Sequence, residues 1–333
     1  MIGALKVYSR MFALRLRRSW RRRGNLRTLT HKPGSWLVSL NSPSNGLFAH
    51  LSWCVAIWMR ARAQGSSVTI RAISPQYGRS TGSVDWYDLL FLNRNPVSSR
   101  GAAILTITEY EEWPDFELAL DGVTLIEANA LFNHFSGLSR SIADEVDQFC
   151  HEHWHSEQVL GVHYRGTDKF LEAPPVSLEE MISLVKKTAA LWPELKIIFV
   201  ATDESGFIPA LRAALTTHHI VSVEGTLRSE NGQPVHRLPG VDGQRRAREA
   251  VVDCVILSRT SLLLKSASML SGWAAVLNPA LPTVLVNPPY ADRNFFPDSL
   301  LPSRMSDLPA LVASIREKAD MRVSGEKGFV PIQ

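Results

Sequence analysis

Short runs of β-branched and apolar residues alternate along this chain with longer stretches whose apolar positions recur every three or four residues. The first pattern predicts strands over 67–73, 103–108, 123–127, 159–164, 196–201, 220–223 and 282–287. The second predicts helices over 47–63, 139–155, 177–192, 206–215, 243–260, 267–277 and 306–320. Buried strands alternating with amphipathic helices indicate an α/β protein with parallel, helix-covered sheets. A polar helix end at 151–157 precedes the strand at 159 and marks a boundary. It separates an N-terminal α/β domain over 31–155 from a C-terminal one over 156–320, both of ordinary domain size, with a short tail at 321–333. In open α/β sheets, ligands bind beyond the carboxyl ends of the strands, so the chemistry is sought where each strand runs out.

The 333 residues are 45% hydrophobic, enough to fill a core, which excludes a disordered or fibrous chain. Cys54, Cys150 and Cys254 are too few and too scattered for a disulfide framework and fit a reducing compartment. The net charge of +4 conceals a strong asymmetry. Residues 1–84 hold 14 Lys and Arg and no acid, Asp85 being the first. The remaining 249 residues hold 22 basic and 32 acidic side chains. Basic charge confined to one end is not the footprint of a nucleic-acid binder. Within residues 1–30, Leu5, Tyr8, Phe12, Leu16 and Trp20 share a helical stripe, with Lys6, Arg10, Arg17, Arg18, Arg21 and Arg22 mostly opposite. Three readings are open: a basic amphipathic helix on an anionic membrane surface through residues 5–23, a solvated basic tail, or an organelle transit peptide. No stretch reaches the roughly 20 apolar residues of a membrane span.

His151-Glu152-His153-Trp154-His155 satisfies H-E-x-x-H, a zinc-protease pattern. Its context favours a solvated helix end: His151 and His155 fall on the polar face with Asp144 and Gln148, at a C-terminus where the helix dipole favours His. A different cluster follows the strand at 159–164, in Gly161-Val162-His163-Tyr164-Arg165-Gly166-Thr167-Asp168-Lys169. Strand alternation puts His163 and Arg165 on one side. Arg165 offers a forked, permanent donor suited to phosphate, Gly166 permits close backbone approach, and Thr167 and Asp168 can tie the turn. A second strand ends in Thr202, Asp203 and Glu204, where a helix N-cap is the plainer reading. Asp253 stands inside an apolar helix and needs a partner. Lys265-Ser266-Ala267-Ser268 enters the next helix, whose free N–H groups make a ready anion site.

In this order and spacing, the motifs resemble the fucosyltransferase superfamily of core α1,6-fucosyltransferases, rhizobial nodulation fucosyltransferases and protein O-fucosyltransferases. The resemblance implies a GT-B fold, two Rossmann-like doubly wound domains facing a cleft, with a GDP-sugar held by the C-terminal one. His163-x-Arg165 resembles the H-x-R motif, whose Arg contacts the β-phosphate and assists departure of GDP. Ala201-Thr202-Asp203 resembles the A-T-D strand end, Asp253 with Ser258 the helix whose Asp contacts guanine, and Ser266-Ala267-Ser268 the Ser-rich turn at the nucleotide. Glu172-Ala173 resembles a Glu-Ala pair after Thr-Asp-Lys. Gly166 departs from the pattern, since many members have a second Arg there; Arg245, Arg246 or Lys265 are the candidate replacements. The N-terminal half matches only through Asn45-Gly46-Leu47-Phe48.

The implied function is an inverting, metal-independent transfer of fucose from GDP-fucose to a glycan or glycolipid, with no cofactor and no metal. The implied catalytic residues are Arg165 and Glu172, the latter as general base. The nucleotide-sugar contacts are His163, Arg165, Thr202, Asp203, Asp253, Lys265, Ser266 and Ser268, with Gly166, Thr167 and Asp168 shaping the site. The expected location is cytoplasmic, peripheral on the inner membrane surface. Two alternatives stay open: another nucleotide-sugar transferase on the same fold, or an inactive glycan- or nucleotide-binding GT-B domain.

Overall fold

The computed structural model describes residues 34–41, 46–74, 76–77, 84–98, 100–107, 120, 122–154, 158–167, 172–230, 235, 240–290, 296–302 and 305–323. The basic tail, and Asp168 and Lys169 of the expected site, lie outside these residues. The chain forms two compact units. One comprises Met1–Arg140 with Asp242–Ala247, the other Ser141–Val241 with Arg248–Gln333.

The first unit holds strands β1 (Ser35–Leu40), β2 (Ser67–Ala72) and β3 (Ala103–Ile107) and helices α1 (Leu47–Ala63), α2 (Trp86–Leu90) and α3 (Leu125–Phe135). Its sheet is parallel, in the order β2-β1-β3. Alternation buries one face of it: Trp36, Val38 and Leu40 align with Val68, Ile70 and Ala72 and with Leu105 and Ile107. Helix α1 is buried at every position from Leu47 to Trp58, as befits a helix apolar all round. The free edge of β2 is sealed by side chains. Asn93 accepts from Ile70 N and donates to Ile70 O (2.8 and 3.0 Å), while Asp85 accepts from Ala72 N and caps α2 at Tyr87 N.

The expected strand at 123–127 is the start of α3. Thr124 accepts from Glu127 N while the Glu127 carboxylate accepts from Thr124 N, a complete capping box that a β-branched run hid from pattern reading. Strand β1 and helix α2 were not expected. The other expected elements are present, with ends shifted by no more than three residues.

The second unit contains α4 (Arg140–Trp154, from its second residue), β4 (Val159–Tyr164), α5 (Leu178–Leu191), β5 (Ile197–Thr202), α6 (Phe207–Ala214), β6 (His219–Val221), the later turns of α7 (Gly243–Ser258), β7 (Leu262–Lys265), α8 (Met269–Leu277), β8 (Thr283–Leu285) and α9 (Leu308–Val323). The sequence boundary at 155/156 falls at the far end of α4 from the division at Arg140. All five strands are parallel, in the order β6-β5-β4-β7-β8. Every residue of β4 and β5 is buried, as parallel strands covered on both faces require. Leu160, Val162, Ile198, Val200, Leu262 and Leu264 form the centre of this core with Met181, Val185 and Phe207. Gly161 is fixed by a close approach: a Cβ there would lie 2.7 Å from Thr260 Oγ1 and 2.9 Å from its Cγ2.

From β4 the chain winds outward through β5 to β6, then returns to add β7 and β8 on the other side of β4. The winding therefore reverses between β4 and β7. Such a switch point opens a crevice at the carboxyl ends of the strands, where ligands of doubly wound sheets bind.

Candidate functional site

The second unit brings most of the expected residues to this crevice. Arg165 leaves β4 with its backbone N–H donating to Ser266 Oγ (2.8 Å), so the β7 exit turn sets the course of the β4 exit turn. Asp203, just past β5, holds the same loop from the other side. Its carboxylate accepts from Thr167 Oγ1 (2.6 Å) and Gly166 N (3.4 Å) and lies 3.7 Å from Arg165 Nε. That contact helps orient the guanidinium, and the Arg165 side chain remains 23% exposed. Thr202 Oγ1 accepts from Glu204 N and turns the chain behind Asp203. A Cβ on Gly166 would meet the Glu204 carboxylate and the Tyr164 hydroxyl, so a side chain there requires Glu204 to move. The Glu204 carboxylate thus lies beside the position where the resemblance expects a second Arg. Burial, with Asp203 beside it, pushes the Glu204 carboxyl above its usual range.

His163 is buried, with Nδ1 3.0 Å from Ser271 Oγ on α8, and Ser271 in turn lies 3.4 Å from Ser268 O. Ser268 is the N-cap residue of α8 but its side chain caps nothing. Its hydroxyl is buried without a hydrogen-bond partner, an uncommon state for a buried polar atom. Asn287, at the exit of β8, accepts from Ala267 N and donates to Pro174 O, both at 2.7 Å. It ties the Ser-rich turn to the segment carrying Glu172, whose own carbonyl accepts from Tyr290 N (3.0 Å). Glu172 is half-buried.

Two expected contributions are placed differently. Lys265 does not face a ligand: its Nζ makes a 2.7 Å ion pair with Asp298, and the two side chains are 0% and 2% exposed. The other oxygen of Asp298 accepts from Ser268 N (2.7 Å), so a carboxylate of the protein itself occupies the first N–H of this helix entry. Lys265 is the last residue of a buried strand, which points it into the interior rather than the crevice. Arg245 and Arg246 stand on the first turn of α7, within the part counted with the first unit.

Asp253 is buried on α7 and is not joined to the Arg165 cluster. Burial pushes its carboxyl up to about 7, against the pull of Arg228 and with a further push from Glu249. His151 and Glu152 of the H-E-x-x-H string are exposed at the end of α4, and Glu152 accepts from Gln148 (2.8 Å); His155 lies outside the described residues. Among the described residues no group of three or more His, Cys, Asp and Glu could hold a metal ion. No helix among them is long and apolar enough to cross a membrane.

The chain is similar in structure to fucosyltransferases. NodZ alpha-1,6-fucosyltransferase soaked with GDP-fucose aligns with a TM-score of 0.49 at 15% identity, over 73% of this chain and 92% of that one. The NodZ of Bradyrhizobium aligns at 0.48 and 15%, over 75% and 94%. FUT1 of Arabidopsis thaliana in complex with GDP aligns at 0.48 and 14%, over 78% and 72%. No family model matches the sequence. No curated protein matches it either.

Sequence reasoning missed Ser271, Asn287, Asp298 and Arg228. Asn287 had a signal, since it ends an expected strand just before Pro288-Pro289. Asp298 had none: it reaches Lys265 and Ser268 across at least 30 residues of chain.

Proposed function

We propose that this protein is a fucosyltransferase-like glycosyltransferase of GT-B type that uses a GDP-sugar, with GDP-fucose as donor and a glycan or glycolipid as acceptor. The observation that carries the reading is the placement of Arg165. A permanent cation, steered by Asp203, stands at the switch point of a parallel sheet, and the β7 exit turn that anchors its backbone runs into α8, whose N-cap hydroxyl has no partner. Those are the features a departing diphosphate requires. The five-stranded unit then binds the donor, and the N-terminal unit shapes acceptor binding.

In the inverting reaction, the acceptor oxygen forms a bond to the anomeric carbon as the bond from that carbon to the β-phosphate oxygen breaks. The electron pair leaves with GDP, where Arg165 stabilises the growing charge. The acceptor proton passes to Glu172. Asp203, Thr167 and Ser266 hold the Arg165 loop in place, so their contribution is positional. Charge neutralisation by Arg165 requires no metal, and transfer should survive EDTA. The basic stretch 5–23 would hold the enzyme as a peripheral protein on the cytoplasmic face of an anionic membrane.

The test is transfer from GDP-fucose to a panel of glycan and lipid-linked acceptors, with Arg165→Ala beside the parent protein. Removing such a contact typically costs about 100- to 1,000-fold in rate. An Arg165→Ala protein that transfers at the parent rate would sink the proposal.

A further inference from the structure

The ion pair of Lys265 and Asp298 is sealed from water at the entry of α8. Lys265 ends β7, and Asp298 opens a short 3₁₀ helix (Asp298–Leu300) that comes after β8 in the chain. The carboxylate serves two partners at 2.7 Å each: Oδ1 meets Lys265 Nζ, and Oδ2 accepts from Ser268 N. Gly272, early in α8, leaves the room for it, since a Cβ there would meet Asp298 Oδ1 and Pro297 Cδ. A charge pair buried this deeply returns little net stability compared with apolar residues of similar size. Its place suggests another task. Three successive N–H groups of the turn into α8 are tied to distant residues: Ser266 N to His163 O (3.0 Å), Ala267 N to Asn287 Oδ1 (2.7 Å) and Ser268 N to Asp298.

Ser268 has the extended backbone of an N-cap residue (φ −168°, ψ 132°), yet its hydroxyl makes no cap bond and has no hydrogen-bond partner. The start of α8 therefore lacks a side-chain cap, and an anion completes such a helix start. Asp298 does not take that place. It accepts from the N–H of Ser268 itself, ahead of the helix, and Lys265 cancels its charge, so the pair adds no net charge to repel an anion. We infer that Asp298 is a positioning residue for the donor diphosphate: with Lys265 as its neutralising partner it fixes Ser268 through the backbone N–H, so that α8 presents an uncapped start to phosphate oxygens. The inference rests on the donor reading above and names what holds the phosphate end of that site.

The test is calorimetric titration of the full chain with GDP and with inorganic pyrophosphate. In Lys265→Met/Asp298→Asn the amide oxygen can still accept from Ser268 N, whereas in Lys265→Met/Asp298→Ala residue 298 offers no acceptor. Both variants lack the buried charges, and urea unfolding reads the structural cost of each separately. The Asn pair should bind both ligands within about twofold of the parent. The Ala pair should bind both about tenfold more weakly, the scale of one lost hydrogen bond that also orders its turn. Ser268→Ala should weaken GDP binding in the parent and in the Asn pair but add nothing in the Ala pair, a non-additivity that a merely structural role would not produce. Gly272→Ala, whose Cβ displaces the Asp298 carboxylate with both charges kept, replaces the Ala pair if thermal melting shows the latter unfolded. Equal affinities in the Asn pair and in the variant that loses the acceptor overturn the inference. So do additive losses with Ser268→Ala, or weakened GDP binding with pyrophosphate binding unchanged. A parent protein that binds neither ligand would overturn the donor reading itself, and it fails before any variant is compared.

Discussion

Replacing Asp253 by Asn should stabilise the free protein and weaken its hold on GDP, and both effects should depend on pH. Burial raises the folded carboxyl from the ordinary 3.8 to about 7, which separates the two protonation states by about 4 kcal/mol. The folded value is raised, so the folded chain binds this proton more tightly than the unfolded chain. Stability from this group is full below pH 3.8 and is lost as pH rises from there through 7. At pH 8 the buried carboxylate costs the free protein on the order of 4 kcal/mol. Asn, near in shape and uncharged, should recover most of that at pH 8 and almost none at pH 4. On the proposed donor reading binding runs the other way, because the guanine N1–H and N2 donors would need the ionised form. With a titration near 7, the ionised fraction falls about tenfold between pH 8 and pH 6, and GDP affinity should fall with it. UDP shares the diphosphate titration, so the ratio of GDP to UDP affinity isolates the base. Urea unfolding from pH 4 to 8 and paired titrations with the two nucleotides are the measurements. An Asn variant whose stability gain is the same at pH 4 and pH 8, or a GDP to UDP ratio flat across pH, would refute the reasoning.

Two other buried titratable groups make comparable predictions. Lys265→Met should cost about 3–5 kcal/mol in urea unfolding, since it strands Asp298 beneath α8, and the double variant Lys265→Met/Asp298→Asn should regain much of the loss; a single variant as stable as the parent would show that the pair carries no such weight. His50, in α1 between Trp53 and Trp86, is lowered to about 4 by burial, partly offset by the Gly46 carbonyl. It is therefore neutral when folded, and about 3 kcal/mol of stability should be lost as pH falls from 6.5 to 4. His50→Leu should flatten that part of the acid-unfolding curve, and an unchanged slope would exclude His50 as its source.

Much of the fold was legible because local patterns and tertiary structure agree. The run Val159–Val162 and the run Ile197–Ala201 are unbroken and apolar, and both became central strands buried on two faces. Thr124-x-x-Glu127 shows where the pattern misled. Val123, Thr124, Leu125 and Ile126 favour a strand by propensity, but two reciprocal hydrogen bonds to otherwise orphaned N–H groups decided for a helix. Strand β1 escaped notice because it follows the Arg-rich start and alternates Trp36, Val38 and Leu40 with Leu37 and Ser39, a weak signal over six residues.

At the site, the sequence by itself determined which polar residues gather: Arg165, Asp203 and the Ser-rich turn all sit at strand ends, and strand ends of parallel sheets converge. It could not determine which way each side chain turns. Lys265 and Arg165 are both cations just inside or past a strand, yet one is sealed against Asp298 and the other stays at the surface. The difference comes from Asp298, Ser266 and Asp203, which reach them over 33, 101 and 38 residues of chain. A one-dimensional pattern records hydrophobicity and spacing, which decide what is buried. Long-range pairing of buried polar groups is decided only when the sheet closes and each donor must find an acceptor.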